Sequence, residues 1–169
     1  MPTQSNISKD LFLLHTLEDH QNAIIDCLNK GRHNIFIYSR ELNHKLFDND
    51  TVIDFVSSIA RKGATAEVRI LINNPQALVD HDHRLLRLAQ RLSSKIHIQS
   101  LTIEPPDNQA FMIVDDNKLW LQHNENETTG ANSGFVNFSA RVEVKKCMDK
   151  FRQWWRYSES DIRLKQLNL

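Results

Sequence analysis

Glycine and proline are scarce in this sequence, with four of each in 169 residues. The chain therefore lacks a glycine-rich phosphate loop, and it also lacks a flexible or proline-rich linker that would divide it into domains. We expect a single domain over residues 11–157, which a chain of this length can fold around one core. A flexible N-terminus at 1–10 and a tail at 158–169 are expected to flank it.

Cysteine is also rare, and the sequence has neither long apolar runs nor an excess of one charge. Cys27 and Cys147 fall within helical patterns, which favours reduced packing residues over a disulfide or a metal site. No apolar run approaches the roughly 20 residues of a transmembrane helix, and Met1–Asp10 has no signal-peptide core, so we predict a cytoplasmic protein without membrane insertion. Lys+Arg and Asp+Glu both number 21, so binding to nucleic acid would require a local basic patch.

A strand–helix–strand pattern organises the chain. The apolar run that begins at Asn34 ends in Ser39-Arg40-Glu41, and a second apolar run occupies 67–72. Between them, 51–62 has helical periodicity and ends at Gly63. This pattern predicts a βαβ unit with two parallel strands.

Further elements are predicted on both sides of this unit. Helical periodicity covers about 17–30, 80–93 and 140–157, and Asp115-Asp116-Asn117 joins two short strands as a hairpin. The last helix places one set of apolar residues on a single face: Val144, Cys147, Met148, Phe151, Trp154 and Trp155. We interpret this face as core or dimer contacts rather than as a platform on which bases stack.

Polar residues follow three of the predicted strands, namely Ser39-Arg40-Glu41, Asn73-Asn74 and Asp115-Asp116. Ligands of open α/β sheets bind at the carboxyl ends of strands, so these segments would form a polar rim if they shared one edge. The alternative is ordinary turn chemistry, which explains Ser, Asn and Asp but does not require Arg40.

Arginines recur along the predicted helix at 80–93, where Arg84, Arg87 and Arg91 form one stripe. Guanidinium groups match phosphate oxygens, although such a stripe is also typical of a solvated helix face. His81 and His83 are two residues apart, so they point to opposite sides of a helix and do not predict a metal site.

The order of these segments resembles one half of the phospholipase D superfamily over roughly residues 15–156. The blocks that carry the resemblance are Tyr38-Ser39, Val68-Arg69-Ile70-Leu71, Ile113-Val114-Asp115-Asp116 and the final helix. His83-Arg84-Leu85-Leu86 is similar to a block of a smaller bacterial branch without an established activity. The resemblance implies an α/β fold with a mixed sheet, helices on both faces, and pairing of two chains into a homodimer.

The catalytic signature of that superfamily is His-x-Lys-x4-Asp, with a Gly-Ser-x-Asn segment downstream. The alignment retains the aspartate as Asp115, but it places Asn108 at the histidine and Ala110 at the lysine. The downstream segment corresponds to 122–125, where Glu125 occupies the last position. Asparagine is not a useful nucleophile and alanine removes a phosphate-binding cation, so the family's chemistry is not expected.

We therefore predict a non-catalytic domain that binds a phosphate-bearing ligand, nucleic acid included, or a protein partner, with no cofactor or metal. The residues expected to bind are Ser39, Arg40, His83, Arg84 and Arg91. Arg40 and Arg84 would act as phosphate forks, and His83 as a donor that strengthens below about pH 6.5. The alternatives are a divergent phosphodiesterase or nuclease that uses His123 or His83, with Asp115 retained, and a structural dimerisation module.

Overall fold

The computed structural model describes residues 9–105, 107–125 and 133–165. Within them lie eight strands: β1 (Leu11–Leu14), β2 (Asn34–Tyr38), β3 (Glu67–Ile72), β4 (Ile96–Leu101), β5 (Ala110–Val114), β6 (Lys118–Gln122), β7 (Gly134–Asn137) and β8 (Ser158–Glu159). The helices are α1 (Leu17–Asn29), α2 (His44–Phe47), α3 (Asp50–Arg61), α4 (Pro75–Asp80), α5 (Arg84–Arg91) and α6 (Arg141–Arg156). A 3₁₀ turn at Ile162–Leu164 follows.

The strands form one mixed sheet in the order β1-β7-β6-β5-β2-β3-β4-β8. β2, β3 and β4 are parallel, while β5 runs antiparallel to β2, with Tyr38 opposite Phe111. The carboxyl end of β2 therefore lies beside the amino end of β5. This arrangement confirms the predicted mixed α/β sheet and its parallel βαβ unit.

Helices cover both faces of the sheet because the strand side chains alternate. Ile35 and Ile37 of β2 join the core beneath α1 and α3–α5, whereas Tyr38 joins the core beneath α6. Phe151 and Trp154 of α6 pack in this second core. The apolar face of the last helix thus packs on its own sheet.

Side-chain caps begin α1 and α3. Thr16 Oγ1 accepts from the Asp19 backbone N–H, and Asp19 Oδ2 accepts in return from the Thr16 N–H, both at 3.0 Å. Asn49 caps α3 through the Val52 N–H at 3.0 Å. These bonds satisfy N–H groups that have no partner within the first turn.

The predicted helix over 80–93 is wrong at its start. The chain forms α4, breaks at 81–83, and begins α5 only at Arg84. Asp82 has a positive φ of 50°, which no helix accommodates, and His83 then caps α5. The polar segment 40–49 also contains α2, which buries Leu46 and Phe47.

The two ends of the chain are only partly described. β8 pairs with β4, and Leu164 is buried in the core, so part of the predicted tail lies on the domain. The predicted flexible N-terminus lies outside the described residues up to position 8, as does 126–132 of the polar segment after β6.

Candidate functional site

Two of the three predicted polar strand ends meet at one edge of the sheet. The backbone N–H groups of Asn73 and Asn74, which follow β3, donate to the Arg40 carbonyl at 3.0 and 2.9 Å. Tyr38 Oη donates to Asn73 Oδ1 at 2.9 Å. The parallel pairing of β2 and β3 produces this contact, because it brings both carboxyl ends to the same edge.

Glu125, just after β6, connects the segments at this edge through hydrogen bonds. Its carboxylate accepts two hydrogen bonds, one from Ser39 Oγ at 2.7 Å and one from the Arg40 backbone N–H at 2.8 Å. Its own N–H donates to the Asn108 carbonyl at 2.9 Å. The connection after β6 is thereby joined both to the end of β2 and to the start of β5. We name the donors and the carboxylate together the Ser39–Arg40–Glu125 cluster.

The Arg40 guanidinium lies over the start of β5. Its Nη2 donates to Glu104 Oε1 at 2.9 Å and to Asn108 Oδ1 at 3.2 Å. The side chain of Asn108, which the resemblance aligns with the superfamily's histidine, accepts a hydrogen bond from arginine here. Ala110, at the lysine position, is buried at 1% exposure and supplies no cation.

Carboxylates dominate the electrostatics of this edge. Burial raises the pKa of Glu125 to about 7, although its hydrogen bonds from Ser39 and Arg40 and the charge of Arg40 favour the ionised form. Glu41 adds to the increase in the pKa of Glu125. The site therefore resists a second strong negative charge while Glu125 is ionised.

His123 and Asp115 do not assemble into a catalytic pair. His123 is exposed at the end of β6, with its ring centroid 6.1 Å from that of Phe135. Asp115 lies at the opposite edge of the sheet, because β5 runs antiparallel to β2 and ends beside the start of that strand. The third polar strand end is therefore separated from the other two.

Asp115 closes the hairpin after β5 and caps the chain before β2. Its carboxylate accepts from the backbone N–H groups of Arg32, His33 and Asn34, with His33 closest at 2.8 Å. Burial opposes ionisation of Asp115, but these hydrogen bonds outweigh it and lower its pKa. The hydrogen bonds of Asp115 therefore stabilise the fold.

His83 is enclosed between the break after α4 and the start of α5, at 1% exposure. Its Nδ1 accepts from the Leu85 N–H at 3.2 Å, so Nε2 carries the proton that is shared with the Leu42 carbonyl at 3.0 Å. Burial lowers the pKa of His83, so the neutral ring is favoured. An enclosed, neutral His83 differs from the expected ligand-binding donor that strengthens below about pH 6.5.

The arginines of α5 line a groove of about 560 Å³ together with Arg163. Arg84 pairs with Asp48 and Asp50, and Arg87 pairs with Asp82. Arg91 has no ion pair within the described part of the chain. We name this surface the α5 groove, and it is separate from the Ser39–Arg40–Glu125 cluster.

Metal ligation and membrane insertion have no structural counterpart in the described residues. Across 9–105, 107–125 and 133–165 no three His, Cys, Asp or Glu side chains are grouped as a metal site would need. Among the helices of the same segments, not one has the length and apolar character required to span a bilayer.

Sequence reasoning predicted Ser39 and Arg40 but missed Glu104 and Glu125 as parts of the site. Glu104 follows β4 in a proline-containing connection, where nothing in the local pattern points towards Arg40. For Glu125 a signal existed, since the superfamily alignment places it at the asparagine of the downstream segment.

The mixed sheet with helices on both faces is a phospholipase-D-like fold. The chain belongs to the family described as a domain of unknown function (DUF7931), whose model matches residues 16–167. No curated protein matches the sequence.

Solved structures with the same fold include members of the phospholipase D family. Nuc from Salmonella typhimurium, a phospholipase D family member, is similar with a TM-score of 0.66 at 11% identity, over 88% of this chain and 95% of that one. NucT from Helicobacter pylori has a TM-score of 0.58 at 16% identity, over 89% and 97%.

A further neighbour is TrmBL2, an archaeal chromatin protein with a novel mode of DNA binding, at a TM-score of 0.69 and 10% identity. The match covers 92% of this chain but only 56% of that protein, so the chain spans about half of its length. At these identities the neighbours establish the fold.

Proposed function

We propose that this domain does not hydrolyse phosphodiesters and instead binds phosphate groups, those of nucleic acid included, through the α5 groove. The proposed lack of hydrolysis rests on Asn108 and Ala110 at the start of β5, where the superfamily has its nucleophile and lysine. Asn108 is occupied by Arg40 at 3.2 Å, so it has neither the chemistry nor the freedom of a nucleophile.

The second half rests on the arginines of the α5 groove. Arg91 has no acidic partner among the described residues, and the side chain of Arg84 is 45% exposed. Of its two acidic partners, Asp50 is 88% exposed, and an exposed ion pair contributes at most about 1 kcal/mol, so a phosphate can replace Asp50 at this guanidinium at little cost. Similar folds are found in a phospholipase D family member and in an archaeal chromatin protein with a novel mode of DNA binding, which supports a phosphate-bearing ligand.

The test is fluorescence anisotropy with labelled single- and double-stranded oligonucleotides over a range of salt concentrations. Wild type is expected to bind with an affinity that falls steeply with salt, because phosphate contacts release counterions. Arg91→Ala should weaken binding and reduce the salt slope by about one contact. Arg156→Ala is the matched control, since this exposed arginine lies on α6 at the other face of the sheet.

Two outcomes would overturn the proposal. Equal loss of binding in both variants would mean that general charge, and not the α5 groove, holds the oligonucleotide. Turnover of a generic phosphodiester that is abolished by His123→Ala would replace the binding module with a divergent phosphodiesterase.

We also propose that two chains form a homodimer. The edge strand β1 exposes Phe12 by 52% and Leu13 by 70%, and an exposed apolar edge strand favours association. Light scattering should give a mass near twice 19.7 kDa that falls to the monomer mass in Leu13→Ser. A wild-type monomer at all concentrations would refute this.

The two free cysteines support the cytoplasmic location predicted from the sequence.

A further inference from the structure

A carboxylate of the chain itself occupies a polar pocket at the end of β2. Glu125 Oε2 accepts from Ser39 Oγ at 2.7 Å, and Oε1 accepts from the Arg40 backbone N–H at 2.8 Å. Each oxygen therefore meets one donor, as an anionic ligand would require. We propose that Ser39 and Arg40 form an oxyanion pocket for a phosphoryl group, and that Glu125 is its internal occupant.

Both donors are held in place before any ligand arrives. Ser39 is buried at 1% exposure, and its Oγ accepts from the Leu42 N–H at 2.9 Å, which leaves the hydroxyl proton directed at Glu125. The Arg40 backbone is held through its carbonyl, which accepts from the N–H groups of Asn73 and Asn74. Preorganised donors of this kind bind an anion without the cost of reorganisation.

A cation stands beside the pocket. The Arg40 side chain is 25% exposed and forms an ion pair with Glu104, with an N–O distance of 2.9 Å. The Glu104 side chain is 77% exposed. An exposed pair of this kind is weak, and a guanidinium fork suits phosphate oxygens at least as well as one carboxylate oxygen. A phosphoryl group that displaced Glu125 would therefore find two fixed donors and one arginine within reach.

The charges around Glu125 favour its replacement as the pH falls. The charges that act on the Glu125 carboxylate are Arg40, which favours its ionised form, and Glu41, which opposes it. Tyr38, Glu104 and Asp107 also lie at this end of β2, where Glu104 pairs with Arg40 and Asp107 pairs with Lys150. Once protonated, Glu125 is a poorer acceptor for both donors, and an external oxyanion competes more easily.

Sulfate is the probe of choice, because its charge does not change between about pH 5 and pH 8, unlike that of phosphate. Its affinity is measured by titration of the full chain at constant ionic strength with chloride, following the Arg40 amide by NMR. Glu125→Ala empties the pocket, whereas Glu125→Gln removes the same charge but leaves an amide in place. Acetate provides a second titration, because it tests the pocket as a carboxylate site.

At about pH 8, Glu125→Ala is expected to bind sulfate about tenfold more tightly than wild type. Glu125→Gln is expected to lie between the two, because its neutral amide is a weaker occupant that still fills the site. Adding Ser39→Ala to Glu125→Ala should remove that gain. Equal sulfate affinity in Glu125→Ala and Glu125→Gln would overturn the proposal, since charge removal alone would then explain any binding. Acetate bound more tightly than sulfate would also overturn it, because the pocket would then be a carboxylate site.

Wild type provides an independent measurement should Glu125→Ala fail to fold. Its sulfate affinity, read at the Arg40 amide, should increase about threefold between pH 8 and pH 5.5, to about the affinity of Glu125→Gln, because protonated Glu125 is neutral but still in place. A constant affinity over this range would refute internal competition by Glu125. The proposal does not depend on the α5 groove, so Arg91→Ala should leave these sulfate affinities unchanged even if oligonucleotide binding is lost.

Discussion

Glu125→Gln should make the domain more stable at alkaline pH than the wild type. The pKa of Glu125 is about 7 in the folded protein, against 4.5 for an ordinary glutamate. Between these values the folded state binds more protons than the unfolded state, so stability is full below about pH 4.5 and falls as the pH rises towards 7. A glutamine at this position retains an acceptor for the Arg40 N–H and does not titrate.

The size of the effect follows from the difference in pKa. A shift from 4.5 to about 7 corresponds to about 3 kcal/mol at about 1.4 kcal/mol per pKa unit. Glu125 is partly open to solvent, and screening reduces the expected change to about 1–3 kcal/mol.

The assay is urea unfolding followed by tryptophan fluorescence at several pH values from about 5 to 8. The quantity of interest is the free energy of unfolding of Glu125→Gln minus that of wild type, which should increase by about 1–3 kcal/mol across this range. Glu104→Gln is the matched control for loss of a negative charge beside Arg40, and its effect should stay below about 1 kcal/mol. A difference for Glu125→Gln that stays constant with pH would refute the reasoning.

Three further predictions concern the scaffold. Gly134→Ala should destabilise the domain by about 2–4 kcal/mol in urea unfolding, because a Cβ there would lie 2.2 Å from the Leu121 carbonyl oxygen. Gly63→Ala is the control: a Cβ there meets nothing within 4 Å, so stability should change by less than about 0.5 kcal/mol. Asp115→Ala should cost about 2–3 kcal/mol at neutral pH, since three backbone N–H groups lose their acceptor, and the cost should shrink below about pH 3.8 as wild-type Asp115 is protonated; equal stability of the two proteins at pH 7 would contradict the capping role. Burial lowers the pKa of His83, so wild-type stability should fall as the pH drops below 6.5, and His83→Gln should remove that component of the pH dependence; thermal melts of both proteins from about pH 5 to 7.5 test this, and parallel curves would argue against it.

Much of the architecture follows from local patterns. The βαβ unit and the caps Thr16 and Asn49 were predictable because the period of apolar residues and the type of capping residue act within a few positions. The helix over 80–93 was misplaced for a related reason. Residues 80–84 are all polar, so the apolar period that begins at Leu85 does not fix where the helix starts. The positive φ of Asp82 and the contact of His83 with the Leu42 carbonyl belong to the folded chain and are not visible in that period.

The candidate site was only half predictable. Arg40 was noticed because a turn does not need an arginine, but its partners are remote in the chain: Glu125 bonds Ser39 across 86 residues, and Glu104 bonds Arg40 across 64. Asp115 looked like a member of the same rim because it too follows a strand, yet the antiparallel direction of β5 places it at the other edge.

By itself the sequence determined the βαβ unit, the hairpin and most of the helices, while the resemblance to a superfamily added the expectation of a mixed sheet and the alignment of Asn108 and Ala110 with a histidine and a lysine. These properties belong to single residues and to short periodic stretches. The tertiary structure alone decided that Glu125 occupies the donors of Ser39 and Arg40, that His83 is enclosed, and that the arginines of α5 share one groove. Such contacts depend on strand order and direction, which no local stretch of the chain encodes.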